Sequence, residues 1–70
     1  MLVYLKDKRG YTATLKTYPD RVEYSVSHAT MDYEQKRVEK TTEQANSFVI
    51  LGWLLRGLLN EGFDIQDILN

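Results

Sequence analysis

The chain changes its hydrophobic period partway along. Up to about residue 40, apolar and polar side chains alternate; beyond it, apolar residues recur at spacings of three and four. Alternation is the pattern of a half-buried strand, and the longer period that of a helix.

Leu2 to Lys6 reads as a first strand. Asp7-Lys8-Arg9-Gly10 then closes a tight turn, with an aspartate to bond the turn backbone and a glycine free to take a positive φ. Tyr11 to Thr17 is a second strand, with Tyr11, Ala13 and Leu15 on one face and Thr12, Thr14 and Lys16 on the other. Tyr18-Pro19-Asp20 turns the chain, since proline has no N–H to continue a ladder. In the third strand, Arg21 to His28, Val22, Tyr24 and Val26 face inward and Arg21, Glu23, Ser25 and Ser27 outward. A fourth strand starts near Met31 and runs to about Lys40. Met31 and Tyr33 share a parity that Val38 lacks, so either a bulge near Gln35–Arg37 switches the face or the far end leaves the sheet. Short turns imply an antiparallel meander in the order 1-2-3-4.

Thr41-Thr42-Glu43-Gln44 reads as a helix start, with Thr41 as cap and Gln44 reaching back to it. The helix runs to Asn60, and Gly62 ends it in the left-handed region. Phe63 leads into Asp64-Ile65-Gln66-Asp67-Ile68-Leu69, where the spacing of Ile65, Ile68 and Leu69 predicts a last helical turn capped by Asp64. The expected fold is α+β: a four-stranded antiparallel meander packed on one C-terminal helix, with a short helical turn after it, as one domain over residues 1–70.

That helix is apolar on more than one side. At about 100° per residue, Phe48, Leu51, Leu55, Leu58 and Leu59 form a stripe to face Leu15, Val22, Tyr24 and Val26 of the sheet. Val49, Ile50, Trp53 and Gly57 lie toward another side. Gly52 and Gly57 each cost a helix about 1 kcal/mol relative to alanine, which makes sense where another backbone comes close. Four strands have one face to give a helix, so the Val49, Ile50, Trp53 and Gly57 side is the expected interface of a homodimer, with another protein as a further expected partner.

Composition sharpens this. Seventy residues bury only about 60% of the surface exposed on unfolding, so a domain this small needs reinforcement. There is no cysteine and one histidine, which rules out disulfides and a thiolate or histidine-rich metal site and leaves association as the reinforcement. Nine Lys and Arg stand against ten Asp and Glu. Residues 1–40 carry a net +2 and residues 41–70 a net −3. Neither forms a patch, so strong attraction to nucleic acid or an anionic membrane is not expected. The apolar stretch Phe48 to Leu59 is short of the roughly 20 residues that span a bilayer, and Lys6-Asp7-Lys8-Arg9 interrupts the N-terminal apolar run. A cytoplasmic protein without membrane contact is expected.

Nothing in the chain reads as catalytic, cofactor-binding or metal-ligating. His28 with Ser25 or Ser27 and Asp32 lacks the spacing of a nucleophilic triad. Glu23, Asp32 and Glu34 are interleaved with Lys16, Arg21, Lys36 and Arg37, the pattern of solvated cross-strand pairs. The four glycines are isolated, so no phosphate loop forms. Tyr4 and Tyr18 with Lys6, Lys8, Arg9, Lys16 and Arg21 offer a second reading, a single-strand nucleic-acid surface centred on Tyr4, Lys6, Lys16 and Arg21. Four antiparallel strands followed by a helix that dimerises resembles the PC4-like single-strand binding proteins in element order. The resemblance implies nucleic-acid binding on the outer sheet face, which in that family is markedly basic and here is not. The leading expectation is a non-enzymatic protein acting through protein–protein contacts. Small motif-less domains of this kind are common among phage and mobile-element accessory or inhibitor factors.

Overall fold

The computed structural model describes residues 1–70. Its elements are β1 (Leu2–Lys6), β2 (Tyr11–Tyr18), β3 (Arg21–His28), β4 (Glu34–Lys40), α1 (Ser47–Asn60) and β5 (Asp64–Leu69). The strands form one antiparallel sheet in the order β4-β3-β2-β1-β5. The meander of four is present, but a fifth strand closes on the far side of β1. α1 lies over β2 and β3 and carries the chain from one edge of the sheet to the other.

The three hairpin strands form as their alternation dictates. Val3, Leu5, Ala13, Leu15, Val22 and Val26 are buried beneath α1, and Tyr24 is half-buried. The first turn is set by Asp7, whose Oδ1 accepts the N–H groups of Arg9 and Tyr11 at 3.0 and 2.9 Å, while Gly10 takes φ +96°. The side chain of Asp7 is only 3% exposed and pairs with Arg9 at 2.7 Å. Partial desolvation works to raise its pKa, but the bonds from Tyr11 and Arg9 together hold the carboxyl below the ordinary aspartate range.

β4 differs from the expected fourth strand. It begins at Glu34, because Met31 belongs to the preceding turn, where Thr30 N–H and Met31 N–H both donate to His28 Nδ1. It then stays in register with β3 from Ser27↔Glu34 to Arg21↔Lys40, with no bulge. The parity switch arises because Val38 simply faces outward, opposite Glu23.

The helix starts later than its first capping signal. Thr41, the expected cap, instead donates its Oγ1–H to Asp20 C=O, and Thr42 caps only a loop: its Oγ1 accepts from Gln44 and Ala45 N–H. Asn46 is the helix cap, its Oδ1 accepting Val49 N–H at 3.0 Å. Glu43 therefore lies outside the first turn. Gly62, at φ +102°, ends the helix as the sequence predicts, with Phe63 N–H bonded to Leu58 C=O and Gly62 N–H to Leu59 C=O.

The packed face of α1 is also rotated from the expected stripe. Ile50, Leu51 and Leu58 are buried and Leu54 and Leu55 pack partly against the core, while Phe48 and Leu59 face solvent. Ile50 packs with Val22 and Ala45 in a small cluster of its own, drawing the helix toward that side.

The C-terminal segment is a strand, not a helical turn. β5 pairs with β1 through Leu2↔Leu69, Val3↔Ile68, Tyr4↔Asp67, Leu5↔Ile65 and Lys6↔Asp64, with a bulge that falls at Gln66. The bulge puts residues three apart on one face, which is why their spacing mimics a helix.

Candidate functional site

Two flanks of α1 rise above the sheet. On the side toward β4, Trp53 is 64% exposed and Val49 and Gly57 lie open beside it. A groove of about 450 Å³ runs along this flank, between Trp53 and Leu54 on one wall and Arg37, Glu39 and Lys40 of β4 on the other, with Ile50 beneath them. Of the four residues the sequence assigns to an interface, the structure leaves Val49, Trp53 and Gly57 accessible. Ile50 is only 5% exposed, so it forms the groove floor and supports the others. A Cβ added at Gly57 or Gly52 would meet nothing within 4 Å. No packing inside the chain therefore calls for glycine there, and the helix surface next to Trp53 is bare backbone. Arg37 pairs with Glu39 and its guanidinium lies 6.0 Å from the Tyr24 ring. The Glu39 hydrogen bond holds the Arg37 pKa above its ordinary value.

On the opposite flank, toward β5, Phe48 is 63% exposed and Leu59 lies half open. Ile65 and Ile68 are opposite the buried Leu5 and Val3, so they project on the same side of the sheet as the helix. This second apolar strip is absent from the sequence reading. The signal that could reveal it is Ile65-x-x-Ile68 directly after the helix-ending Gly62, if read as a bulged strand.

The outer sheet face holds the four residues of the nucleic-acid reading. Tyr4, Lys6, Lys16 and Arg21 are all on the face away from α1. Each is engaged or countered. Arg21 sits 3.9 Å from the Tyr18 ring centroid and bonds Asp20 and Glu23. Lys16 lies 5.2 Å from the same ring and opposite Glu23. The neighbouring Tyr18 side chain raises its pKa. Lys6 is opposite Asp64, and Tyr4 opposite Asp67. A depression of about 420 Å³ between Tyr4, Lys16, Glu23 and Lys36 has the Thr14–Ser25 hydroxyl pair, 2.8 Å apart, in its lining.

His28 has both ring nitrogens committed to backbone. Nδ1 accepts from Thr30 and Met31, so Nε2 carries the proton and donates to Arg9 C=O at 2.7 Å. Its role is to join two turns. Glu34 pairs with Lys36 at 3.0 Å, and no three His, Asp or Glu side chains gather as a metal site. No helix is long and apolar enough to cross a membrane.

Comparison with protein families, curated proteins and solved structures gave no match. The fifth strand after the helix also departs from the four-strands-then-helix order of the PC4-like proteins.

Proposed function

We propose that this chain is a non-enzymatic binding protein that acts through protein–protein contacts, a small accessory or regulatory factor of the kind phages and mobile elements carry. The observation that carries this reading is Trp53, 64% exposed on a rigid helix above an apolar-floored groove. A large aromatic costs little conformational entropy to dock, and tryptophan is enriched at the centres of interfaces. Val49, Trp53 and Gly57 make the docking face, and Arg37 and Lys40 provide a polar rim. Capture from the native host with wild type, Trp53→Ala and Lys16→Ala in parallel tests it. A stoichiometric protein retained by wild type and Lys16→Ala but lost with Trp53→Ala is the expected result. Turnover of a substrate, abolished by one polar substitution, contradicts it.

One observation favours a second reading: Tyr4, Lys6, Lys16 and Arg21 share one open face. Binding of single-stranded nucleic acid there would show as anisotropy of a labelled oligonucleotide that falls steeply with salt and is weakened by Lys16→Ala or Tyr4→Ala. The carboxylates of Glu23, Asp64 and Asp67 on that face make it the weaker of the two.

A further inference from the structure

We infer that the open edge of β5 is a self-association surface, and that its occupant is a second copy of this chain, paired β5 to β5 antiparallel about a two-fold axis. This surface is separate from the Trp53 flank, and the inference stands whether or not that flank binds another protein.

The first support is the order of faces along β5. Asp64, Asp67 and Leu69 are opposite Lys6, Tyr4 and Leu2 and lie on the outer face, while Ile65 and Ile68 lie on the helix side. With the bulge at Gln66, this order reads the same in both directions about the Gln66–Asp67 peptide. A regular strand keeps its faces matched only when the two-fold passes through a residue. The bulge at Gln66 moves that axis to the Gln66–Asp67 peptide, where β5 pairs with itself with both helices on one side. In the register that places Ile65 of one copy opposite Ile68 of the other, Gln66 meets Asp67 and Asp64 meets Leu69. No like charges are then opposed, whereas sliding to Asp67 on Asp67 sets two carboxylates together.

The backbone agrees. Thr17 N–H bonds Met1 C=O, so the odd-numbered residues of β1 turn their polar groups toward β2 and the even-numbered ones toward β5. The β5 residues opposite Val3 and Leu5 are Ile68 and Ile65, and their N–H and C=O therefore face the open edge. Ile68 N–H is taken by the Asp67 carboxylate at 2.9 Å. In the proposed register the outward groups of Ile65 and Ile68 exchange hydrogen bonds across the two-fold axis.

Charge distinguishes the two edges. β4 carries Glu34, Lys36, Arg37, Glu39 and Lys40, which discourage another strand. β5 has two carboxylates, both on the outer face, and its helix side is apolar. A stable pair buries about 800 Å² per copy, about a sixth of this chain's 4978 Å². β5 is exposed along its whole length, and Ile65, Ile68 and Leu69 give it an open apolar contribution toward that area, the backbone edge and flanking residues supplying the rest. Asp67 opposes the pairing, since its carboxylate must release Ile68 N–H before a second strand can use it.

Sedimentation velocity on the full chain over a concentration series tests the inference. Wild type should associate reversibly to a dimer. Ile68→Pro removes an edge N–H without taking a bond from β1, and should raise the dissociation constant about tenfold or more; Ile65→Arg should do the same if the proline disturbs folding by circular dichroism. Asp67→Ala should tighten the dimer, and Trp53→Ala should leave it unchanged. A chain that stays monomeric even as Asp67→Ala would overturn the inference. So would a dimer indifferent to Ile68→Pro and Ile65→Arg but lost with Trp53→Ala, which would place self-association on the Trp53 flank.

Discussion

Ile65 and Ile68 are three residues apart in β5, yet both project toward the helix side of the sheet, because the bulge at Gln66 lies between them. Their neighbours across β1, Leu5 and Val3, are almost wholly buried, while the isoleucines themselves stay half open. The apolar layer under α1 therefore continues past the helix to the sheet edge.

That layer separates core from surface among similar side chains. Leu15→Ala removes a fully buried side chain and should cost about 2–5 kcal/mol, enough to unfold much of a domain this small. Phe48→Ala, at an exposed position, should change monomer stability by about 0.5 kcal/mol or less. Urea denaturation of the two variants at low protein concentration checks both.

The two capping signals should respond differently. Asn46→Ala should destabilise by about 1 kcal/mol, because Val49 N–H loses its partner. Thr41→Ala should leave the helix intact, since Thr41 bonds Asp20 C=O rather than a helix N–H. Helix content by circular dichroism and thermal midpoints would distinguish them.

Two glycines should show opposite signs. Gly57→Ala meets no atom within 4 Å and should stabilise the chain by about 1 kcal/mol, while placing a methyl on the surface beside Trp53 and weakening partner capture. Gly62→Ala should destabilise, because φ +102° strains any side chain. Thermal melts give the sign for each.

Asp7 should make stability depend on acid. Its carboxyl sits below the ordinary aspartate range in the fold, so its stabilisation is fully present above that range and is lost as pH falls through the folded value. Asp7→Asn should melt lower than wild type at neutral pH, with the gap closing at strongly acidic pH. A gap that persisted there would show that the turn does not depend on the carboxylate charge.

Where each side chain has one role, the sequence reads directly. Val22, Tyr24 and Val26 give the third strand its face and register, and Asp7 with Gly10 gives the first turn. Competition between signals obscures the rest. Thr41 and Asn46 both carry capping side chains, but Thr41 bonds Asp20 C=O and Asn46 starts the helix, with Ile50 packed on Val22 and Ala45 just after it. That same contact rotates the helix, exposing Phe48 and turning Ile50 from a candidate interface residue into core. β5 is hidden because a bulge gives a strand the spacing of a helix. At the Trp53 flank, the spacing places Trp53 away from the stripe, but only the course of β4 shows that the sheet stops short of covering it.

The Trp53 flank is proposed to receive another protein. Photo-crosslinking in the native host tests it most directly, with a photoreactive phenylalanine analogue replacing Val49 on that flank or, as control, Lys16 on the outer face. One crosslinked protein of different sequence is expected from position 49, lost when Trp53→Ala is added, and none from position 16. Crosslinks confined to nucleic acid from position 16, or a position-49 product that survives Trp53→Ala, would contradict it.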